Sequence, residues 1–385
     1  MRIHVTGLRG IPGVMGGIES HCEELLPRIK ARNADLDITV LCRAPYVDGE
    51  RRVHRGIALA PLPSPRSKSL EAIVATFIAI LYAWIRGAQI IHIHAIGPAL
   101  LCPLARILGL HVIVTHHGAD YERAKWGAFA KLTLRLGERS ALIWAHRVIA
   151  VSPSLASQLT MLFPSQAYKV TYIPNGAPSL PTCDDDAMAV IERLGLAPKG
   201  YILAVGRLVP EKGFDDLIDA FLASAQPEGR KLVIAGGADH ETDFVRALRA
   251  RASDRVIFLG TQSRSVLKCL YENCSLFVIP SYHEGLPIAA LEAASCSAPM
   301  ILSDIAANRD LGLDSERYFP VGNTARLAHM LARPYEATSA EAQMIKWRFD
   351  WDKAAESTAK IYRAFMPPSA QVVRHQDRVG TGLAE

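Results

Sequence analysis

The sequence lacks the cysteine pattern of a disulfide-rich or zinc-binding protein. Its 385 residues include seven cysteines, an odd number, and no two of them form a CxxC pair. An even set of cysteines usually indicates a disulfide framework, and closely spaced pairs usually indicate structural zinc. We therefore expect neither feature, and we expect a reducing compartment.

Long apolar runs are also absent. The longest, from Leu70 to Ile85, has Glu71 near its start and is followed by Arg86. It is shorter than the roughly 20 residues that a bilayer span requires, and a buried helix explains it better. The chain passes directly from Met1 into a strand-like segment without an apolar signal sequence. We expect a cytoplasmic protein, at the inner face of the cytoplasmic membrane.

Several familiar catalytic and binding signatures are missing. The sequence contains no Walker A motif, no GxGxxG loop and no GxSxG serine-hydrolase motif. Residues 1–175 contain 20 Lys and Arg against 11 Asp and Glu, whereas the remainder contains 23 against 27. A basic first half suits an anionic partner such as a lipid headgroup, although a solvated basic face explains the charge equally well. Without an RNA or DNA motif, nucleic acid is not an expected partner.

The sequence does contain a regular alternation of strand-like and helix-length segments, which predicts parallel, doubly wound α/β sheets. A turn-rich break at Pro174-Asn175-Gly176, followed by the acidic run 184–186, separates two such series. We predict two Rossmann-like domains, over 1–175 and 176–352, a terminal helix over 353–366 and a disordered tail over 367–385. The predicted strands are 3–6, 38–42, 90–94, 112–115, 148–151, 170–173, 201–205, 231–235, 256–259, 276–279 and 300–302; the predicted helices include 18–31, 70–85, 98–108, 154–162 and 353–365.

Loops that follow predicted strands carry the candidate site residues, because ligands bind at the carboxyl ends of such strands. Arg207 and Lys212 follow the strand 201–205, and two cations five residues apart suit a diphosphate. Gly16 and Gly17 follow the first strand and allow backbone amides to approach an anion or a sugar. His117 follows another strand, where an imidazole suits hydrogen bonding to a sugar hydroxyl or proton transfer.

Other histidines carry less weight. His92 and His94 share one face of a predicted strand and are expected to belong to the core. A zinc site built from these two with His116 and His117 has no characteristic ligand spacing. We expect no metal site.

The segment HEGLPIAALE, residues 283–292, places two carboxylates around a predicted helix start. Pro287 suits the first turn, so Gly285 and Leu286 would offer free amides to an anion. Glu284 would lie at this helix mouth and Glu292 about 12 Å deeper along the axis. Two carboxylates that flank an anion site suit a nucleotide sugar, which has hydroxyls on both sides of its diphosphate.

Together these motifs resemble those of the GT-B retaining glycosyltransferases of family 4. The likeness rests on Glu284-x7-Glu292, on Gly206-Arg207-x4-Lys212-Gly213, on Ile173-Pro174-Asn175-Gly176 and on Gly16-Gly17-x-Glu19, and spans roughly residues 1–366. The N-terminal motif Gly7-x-Arg9-Gly10-Ile11-Pro12-x3-Gly16-Gly17 is also similar to that of bacterial rhamnosyltransferases of surface polysaccharide assembly, such as lipopolysaccharide and capsule.

The resemblance implies a cleft with the acceptor on the first domain and the donor, a UDP-, GDP- or dTDP-sugar, mainly on the second. Arg207 and Lys212 would hold the diphosphate, Glu292 the ribose, and Glu284 the transferred sugar together with the amides of the following turn. Gly17 would approach the phosphates and His117 the sugar. No cofactor or metal ion is expected, and the acceptor would be a glycan or a polyprenyl-diphosphate-linked oligosaccharide. The alternatives are a sugar-nucleotide epimerase and a non-catalytic sugar-nucleotide-binding protein.

Overall fold

The computed structural model describes residues 1–14, 16–50, 52–65, 71–122, 127–178, 180–238 and 241–366. The tail predicted over 367–385 lies outside the described residues. Within them, the expected alternation of strands and helices is confirmed, and the strands form two separate sheets of eight and six strands.

The strands of the N-terminal half are β1 Arg2–Thr6, β2 Asp37–Arg43, β3 Val53–His54, β4 Ile57–Leu62, β5 Ile90–His94, β6 His111–His116, β7 Arg147–Ala150 and β8 Val170–Tyr172; the helices are α1 Gly17–Arg32, α2 Glu71–Ile85, α3 Cys102–Ile107, α4 Ala128–Trp144 and α5 Pro153–Leu162. The strands form one sheet in the order β3-β4-β2-β1-β5-β6-β7-β8, and every pair except β3–β4 is parallel. Strands β3 and β4 were not predicted; they extend one edge of the sheet.

The strands of the C-terminal half are β9 Tyr201–Val205, β10 Lys231–Ala235, β11 Val256–Gly260, β12 Leu276–Ile279, β13 Met300–Ser303 and β14 Tyr318–Phe319; the helices are α6 Asp185–Arg193, α7 Phe214–Ala223, α8 Asp243–Arg249, α9 Arg264–Asn273, α10 Ile288–Ser295, α11 Ala306–Arg309, α12 Thr324–Leu331, α13 Ser339–Arg348 and α14 Trp351–Arg363. The strands form a parallel sheet in the order β11-β10-β9-β12-β13-β14. Apart from the half-buried edge strand β11, they are nearly all buried, as expected for strands covered by helices on both faces.

The strand orders place a topological switch point in each sheet. The chain leaves β1 towards β2 on one side and returns to β5 on the other; β9 likewise has β10 and β12 as its neighbours. Loops that leave such a point at the carboxyl ends of the strands diverge and form a crevice for ligands. Gly16 and Gly17 follow β1, Arg207 and Lys212 follow β9, and Glu284 follows β12, so these candidate residues border the two crevices.

The last helix, α14, packs on α1 of the N-terminal half. Trp351 and Tyr362 are buried in one apolar cluster with Ile3, Cys22 and Leu26. Two arginines of α1, Arg28 and Arg32, also form ion pairs with Asp352. The C-terminal end of the described chain is thereby fixed to the first sheet.

Three expectations require correction. The run 70–85 was expected to be a buried helix, yet α2 leaves Phe77, Trp84 and Ile85 exposed. The cysteines were expected to remain unpaired, but Cys183 forms a disulfide with Cys269 of α9, 86 residues away. The acidic run 184–186 was interpreted as solvated linker, whereas the Asp184 carboxylate caps α6 by accepting the Ala187 N–H at 2.8 Å.

No helix in the described part of the chain combines the length and apolar character that crossing a bilayer requires.

Candidate active site

Two loops of the C-terminal sheet build one side of the candidate site. Residues 206–213 follow β9 and residues 280–287 follow β12, the strand beside it. The N–H of Tyr282 donates to the carbonyl oxygen of Glu211 at 2.9 Å. A Cβ atom on Gly213 would lie 2.4 Å from the carbonyl oxygen of Pro280. The two loops are therefore in backbone contact, and their side chains share one surface.

A cation and two oxygen groups meet on this surface. Nζ of Lys212 lies 2.5 Å from Oε1 of Glu284, and the Ser281 hydroxyl donates to the same oxygen at 2.7 Å. Both charged side chains are largely buried, with 21% and 12% of their surface exposed. A pair so sheltered from water is held more firmly than a surface ion pair. Sequence reasoning assigned these residues to different parts of the donor; the structure brings them together.

The relation between the two carboxylates differs from the expected one. Helix α10 begins at Ile288 with Pro287 as its N-cap, so Glu284 lies in the preceding turn and not on the helix. The separation predicted for the pair therefore cannot be counted along a single helix axis. The amides of Gly285 and Leu286 lie in that turn, as expected, between Glu284 and the helix.

Glu292 lies in the second turn of α10, where its carboxylate accepts a hydrogen bond from the Tyr271 hydroxyl at 3.0 Å. Burial raises the pKa of Glu292 to about 6, although the hydrogen bond from Tyr271 acts in the opposite direction. Because the pKa of Glu292 in the folded protein exceeds the ordinary value of 4.5, the folded, ligand-free protein binds a proton on this carboxyl more tightly than the unfolded chain does. The stability that this proton confers is lost as the pH rises from about 4.5 through 6.

This pKa predicts a pH dependence of nucleotide binding. If ribose hydroxyls donate to the ionised Glu292, the Kd for a nucleoside diphosphate should rise about tenfold between pH 7 and pH 5. Isothermal titration calorimetry over this range would measure it. The nucleotide's own ionisation changes the Kd with pH in the same way in the Glu292→Gln variant. The ratio of the Kd of the unchanged protein to the Kd of the variant therefore reports only the ionisation of Glu292. A ratio that does not vary with pH would refute the assignment.

Helix α1 and the loop before it form part of the opposite side. The helix begins at Gly17 after the N-cap Gly16. Glu19 accepts hydrogen bonds from the backbone N–H of Arg9 at 3.0 Å and from its Nε at 3.1 Å, which ties the loop to the helix. A Cβ on Gly17 would meet nothing within 4 Å, so its backbone borders open space. A helix N-terminus with room in front of it is suited to an anion.

The two halves touch at His117-Gly118 and Gly285. A Cβ atom on Gly285 would lie 1.7 Å from the carbonyl oxygen of His117. Nearby, Nδ1 of His283 lies 3.1 Å from the Glu122 carboxylate. The predicted donor turn of the second half therefore meets the predicted sugar-contacting segment of the first.

The His117 side chain points towards a group of buried histidines. Its Nε2 lies 3.0 Å from Nδ1 of His94. Burial, with the neighbouring imidazoles, holds the pKa of both rings well below the usual range. His92 and His94 are fully buried, as expected, and His92 contacts the Tyr362 hydroxyl and Thr115 at 2.7 Å each.

Sequence reasoning missed His21, Ser281 and Tyr271. Nδ1 of His21 lies 2.7 Å from Oδ1 of Asn175, a residue predicted only as a linker entry. The available signal was the position of His21 one turn after Gly17, on the helix that follows the glycine loop. Ser281 and Tyr271 carried no comparable signal, because their roles depend on distant neighbours.

Models of two protein families match this chain, one in each half. The family model "Glycosyltransferase Family 4" matches residues 15–178, and "Glycosyl transferases group 1" matches residues 191–347. The two matches divide at the segment that separates the sheets.

Two curated relatives share the description D-inositol 3-phosphate glycosyltransferase. That of Acidothermus cellulolyticus is 25% identical over 98% of this chain and 93% of its own length. That of Segniliparus rotundus is 27% identical over 60% of this chain, and the alignment spans about half (54%) of its own length.

Among solved structures, sucrose-phosphate synthase from Thermosynechococcus elongatus superposes with a TM-score of 0.80 at 21% identity, over 94% of this chain and 98% of its own. Anabaena HepE in complex with UDP-glucose gives a TM-score of 0.71 at 18% identity, over 94% and 99% of the two chains. These likenesses show the fold. The two domain matches and the relatives lead to the conclusion that the chain is a glycosyltransferase, in which a family 4 domain is followed by a group 1 domain within the GT-B fold.

Proposed function

We propose that the protein transfers a hexose or deoxyhexose, with retention of configuration, from a nucleotide sugar to a glycan or a polyprenyl-diphosphate-linked acceptor in bacterial surface polysaccharide synthesis. The observation that carries the donor half of this proposal is the cluster of Lys212, Glu284 and Ser281 at the switch point of the second sheet. A cation held at the carboxyl ends of parallel strands is placed to meet a diphosphate.

The proposed mechanism follows from charge. Departure of a diphosphate from an oxocarbenium-like sugar builds negative charge on the leaving oxygens, and fixed cations there lower the barrier. Arg207 and Lys212 supply that charge, so no metal ion is required for the transfer. The acceptor hydroxyl attacks from the face that the diphosphate leaves. Glu284 positions the sugar, with the amides of Gly285, Leu286 and Ile288, and Glu292 holds the ribose.

The direct test is a thermal-shift screen of UDP, GDP and dTDP and their sugars, followed by transfer assays with the stabilising donor. A ligand that binds the folded state raises Tm by mass action. Transfer to a lipid-linked oligosaccharide would support the proposal. A new sugar nucleotide formed without acceptor would indicate an epimerase, and donor binding without turnover on any acceptor would indicate a binding protein.

A phosphorylated small molecule is a second candidate for the acceptor. It is favoured by the relatives described as D-inositol 3-phosphate glycosyltransferases. The excess of nine positive charges in residues 1–175 suits a phosphate as well as a lipid-linked diphosphate. An acceptor panel that contains both classes distinguishes them.

The surface of α4 favours the lipid-linked acceptor. Phe129, Leu132 and Leu136 expose 84%, 54% and 48% of their surface. Their spacing places them on one face of the helix, and Lys131, Arg135 and Arg139 add positive charge along it. An exposed apolar face bordered by cations suits the headgroup region of an anionic membrane.

The opposite side of α4 is anchored near the cleft. Glu138 is buried, pairs with His116 at 2.8 Å and accepts from the Tyr121 hydroxyl. Tyr121 belongs to the same turn as Glu122, which contacts His283 across the cleft. A lipid held along α4 would therefore leave its diphosphate and sugar beside the donor turn.

We expect Phe129→Ser with Leu132→Ser to lower binding to phosphatidylglycerol vesicles by at least about tenfold, because two exposed apolar groups no longer enter the membrane. Co-sedimentation at low and high salt measures this, since screening weakens the cationic part. Leu222→Ser on α7, exposed to 48%, is the matched control and should bind like the unchanged protein. Equal binding by all three would exclude this surface.

A further inference from the structure

Three histidines from separate elements converge beneath the cleft. One ring nitrogen from each of His21, His94 and His117 lies within 4.8 Å of the other two. His21 comes from α1, His94 ends β5 and His117 follows β6. Zinc bound to imidazoles at about 2.05 Å with tetrahedral angles places the nitrogens about 3.3 Å apart. The 3.0 Å between His94 and His117 is already close to that separation.

The hydrogen bonds around His21 leave one lone pair unused. The amide oxygen of Asn175 only accepts hydrogen bonds, so Nδ1 of His21 carries the proton that is donated to it at 2.7 Å. In the neutral ring, Nε2 then has a bare lone pair, and this buried atom has no hydrogen-bond partner among the described residues. In metal-binding histidines, the ring nitrogen that does not bind the metal donates a hydrogen bond that fixes the ring. The hydrogen bond from Nδ1 of His21 to Asn175 fixes this ring in the same way.

The second ring can adopt the required tautomer as well. Nε2 of His94 lies 3.6 Å from Sγ of Cys22. With the proton on Nε2, His94 donates to that sulfur and presents the Nδ1 lone pair to the cluster. His117, with its proton on Nδ1, offers Nε2. The three lone pairs then converge without any change in the number of bound protons.

We propose that His21, His94 and His117 form a binding site for a divalent transition metal of the zinc class. The metal lies between the ring nitrogens where His94 and His117 now share a proton, that proton moves to the outer nitrogen of its own ring, and the fourth position of the metal is kept for water or a substrate oxygen. The site is additional to the donor cations and is not required for transfer.

The consequence for transfer rests on the proposed contact of His117 with the donor sugar. A metal that occupies Nε2 of His117 prevents that nitrogen from contacting sugar, and it places a positive charge beside Gly118, where the two halves touch. Zinc is therefore expected to inhibit transfer, and a chelator to restore it without lowering the maximal rate.

Titration of the full chain with Co²⁺ tests the site independently of activity. Visible bands of tetrahedral cobalt should saturate at one ion per chain and disappear when Zn²⁺ is added. His21→Gln and His94→Gln should each abolish the bands while the circular dichroism spectrum is preserved. Asn175→Ala, which frees the His21 ring, should weaken zinc binding about 10–100-fold.

The control variant is His329→Gln, because His329 is an exposed histidine on α12 of the C-terminal half, whereas the three clustered histidines all belong to the N-terminal half. It should keep both the cobalt bands and zinc affinity. Absence of tetrahedral bands in the unchanged protein, or bands that persist in His21→Gln and His94→Gln, would overturn the site. If the bands behave as expected but zinc does not inhibit transfer, the metal site stands and the proposed role of His117 fails.

Discussion

Replacing Lys212 with methionine is expected to lower kcat/KM by about 100- to 1000-fold, the loss found when one group that stabilises transition-state charge is removed. The ammonium lies 2.5 Å from Glu284 and is the cation that the donor diphosphate would meet at this surface. Without the ammonium, the largely buried Glu284 carboxylate loses one of the two partners described above and keeps the Ser281 hydroxyl. Its negative charge then repels the diphosphate. Steady-state kinetics with the donor identified by thermal shift would measure the loss.

The matched control for Lys212→Met is Lys268→Met. Lys268 pairs with Glu272 at 3.3 Å on α9 of the same domain, and 25% of its side chain is exposed, similar to Lys212. It should retain full activity, since it lies outside the candidate site. Lys212→Arg should recover part of the activity because it restores the charge. A parallel loss of activity and of Tm in Lys212→Met would show that the residue serves the fold. Arg207→Ala is expected to behave like Lys212→Met.

Replacing Gly285 with alanine is expected to lower kcat/KM by about 100-fold, because displacement of reacting groups by about 1 Å has an effect of that size. The new Cβ would lie 1.7 Å from the carbonyl oxygen of His117 and 2.7 Å from its carbonyl carbon. Both are backbone atoms and cannot rotate away. The first and second halves must therefore separate where the donor turn meets the acceptor side.

A measurement of nucleotide affinity distinguishes this separation of the two halves from misfolding of the variant. Apart from the backbone of Gly17, the proposed diphosphate and ribose contacts belong to the C-terminal half, so calorimetry should give only a small change in the Kd of a nucleoside diphosphate for Gly285→Ala. Gly127→Ala is the control, since a Cβ there meets nothing within 4 Å and φ is −67°. If Gly285→Ala transferred sugar as fast as the unchanged protein, the contact between His117 and Gly285 would have no part in catalysis.

Much of the candidate site was predictable because parallel sheets obey a simple rule. Loops that follow parallel strands all leave at one edge, so Lys212 and Glu284 could be assigned to one crevice from their positions after two strands. The sequence could not reveal that these two side chains pair, because that depends on how the loops fold against each other. Nor could it fix the first residue of the helix, since Pro287 suits both the N-cap and the first turn.

Pairings between distant residues were the least predictable. His21 and Asn175 are 154 residues apart, and Cys183 and Cys269 are 86 apart. Neither pair leaves a periodic or spacing signal, because each partner is placed by a different secondary-structure element. The same holds for the exposed faces of α2 and α4: an apolar stripe shows that a helix has two faces, but not whether another element covers one of them.

The sequence alone determined the two α/β domains, the positions of most strands along the chain and the segments that carry Gly16, Gly17, His117, Arg207, Lys212, Glu284 and Glu292. These follow from local periodicity and turn chemistry, which act over a few neighbouring residues. Only the tertiary structure decided the Lys212–Glu284 pair, the closure of Gly285 against His117 and the cluster of His21, His94 and His117. Each depends on the packing of elements remote in sequence, and burial there changes both the partners and the proton affinities of the side chains.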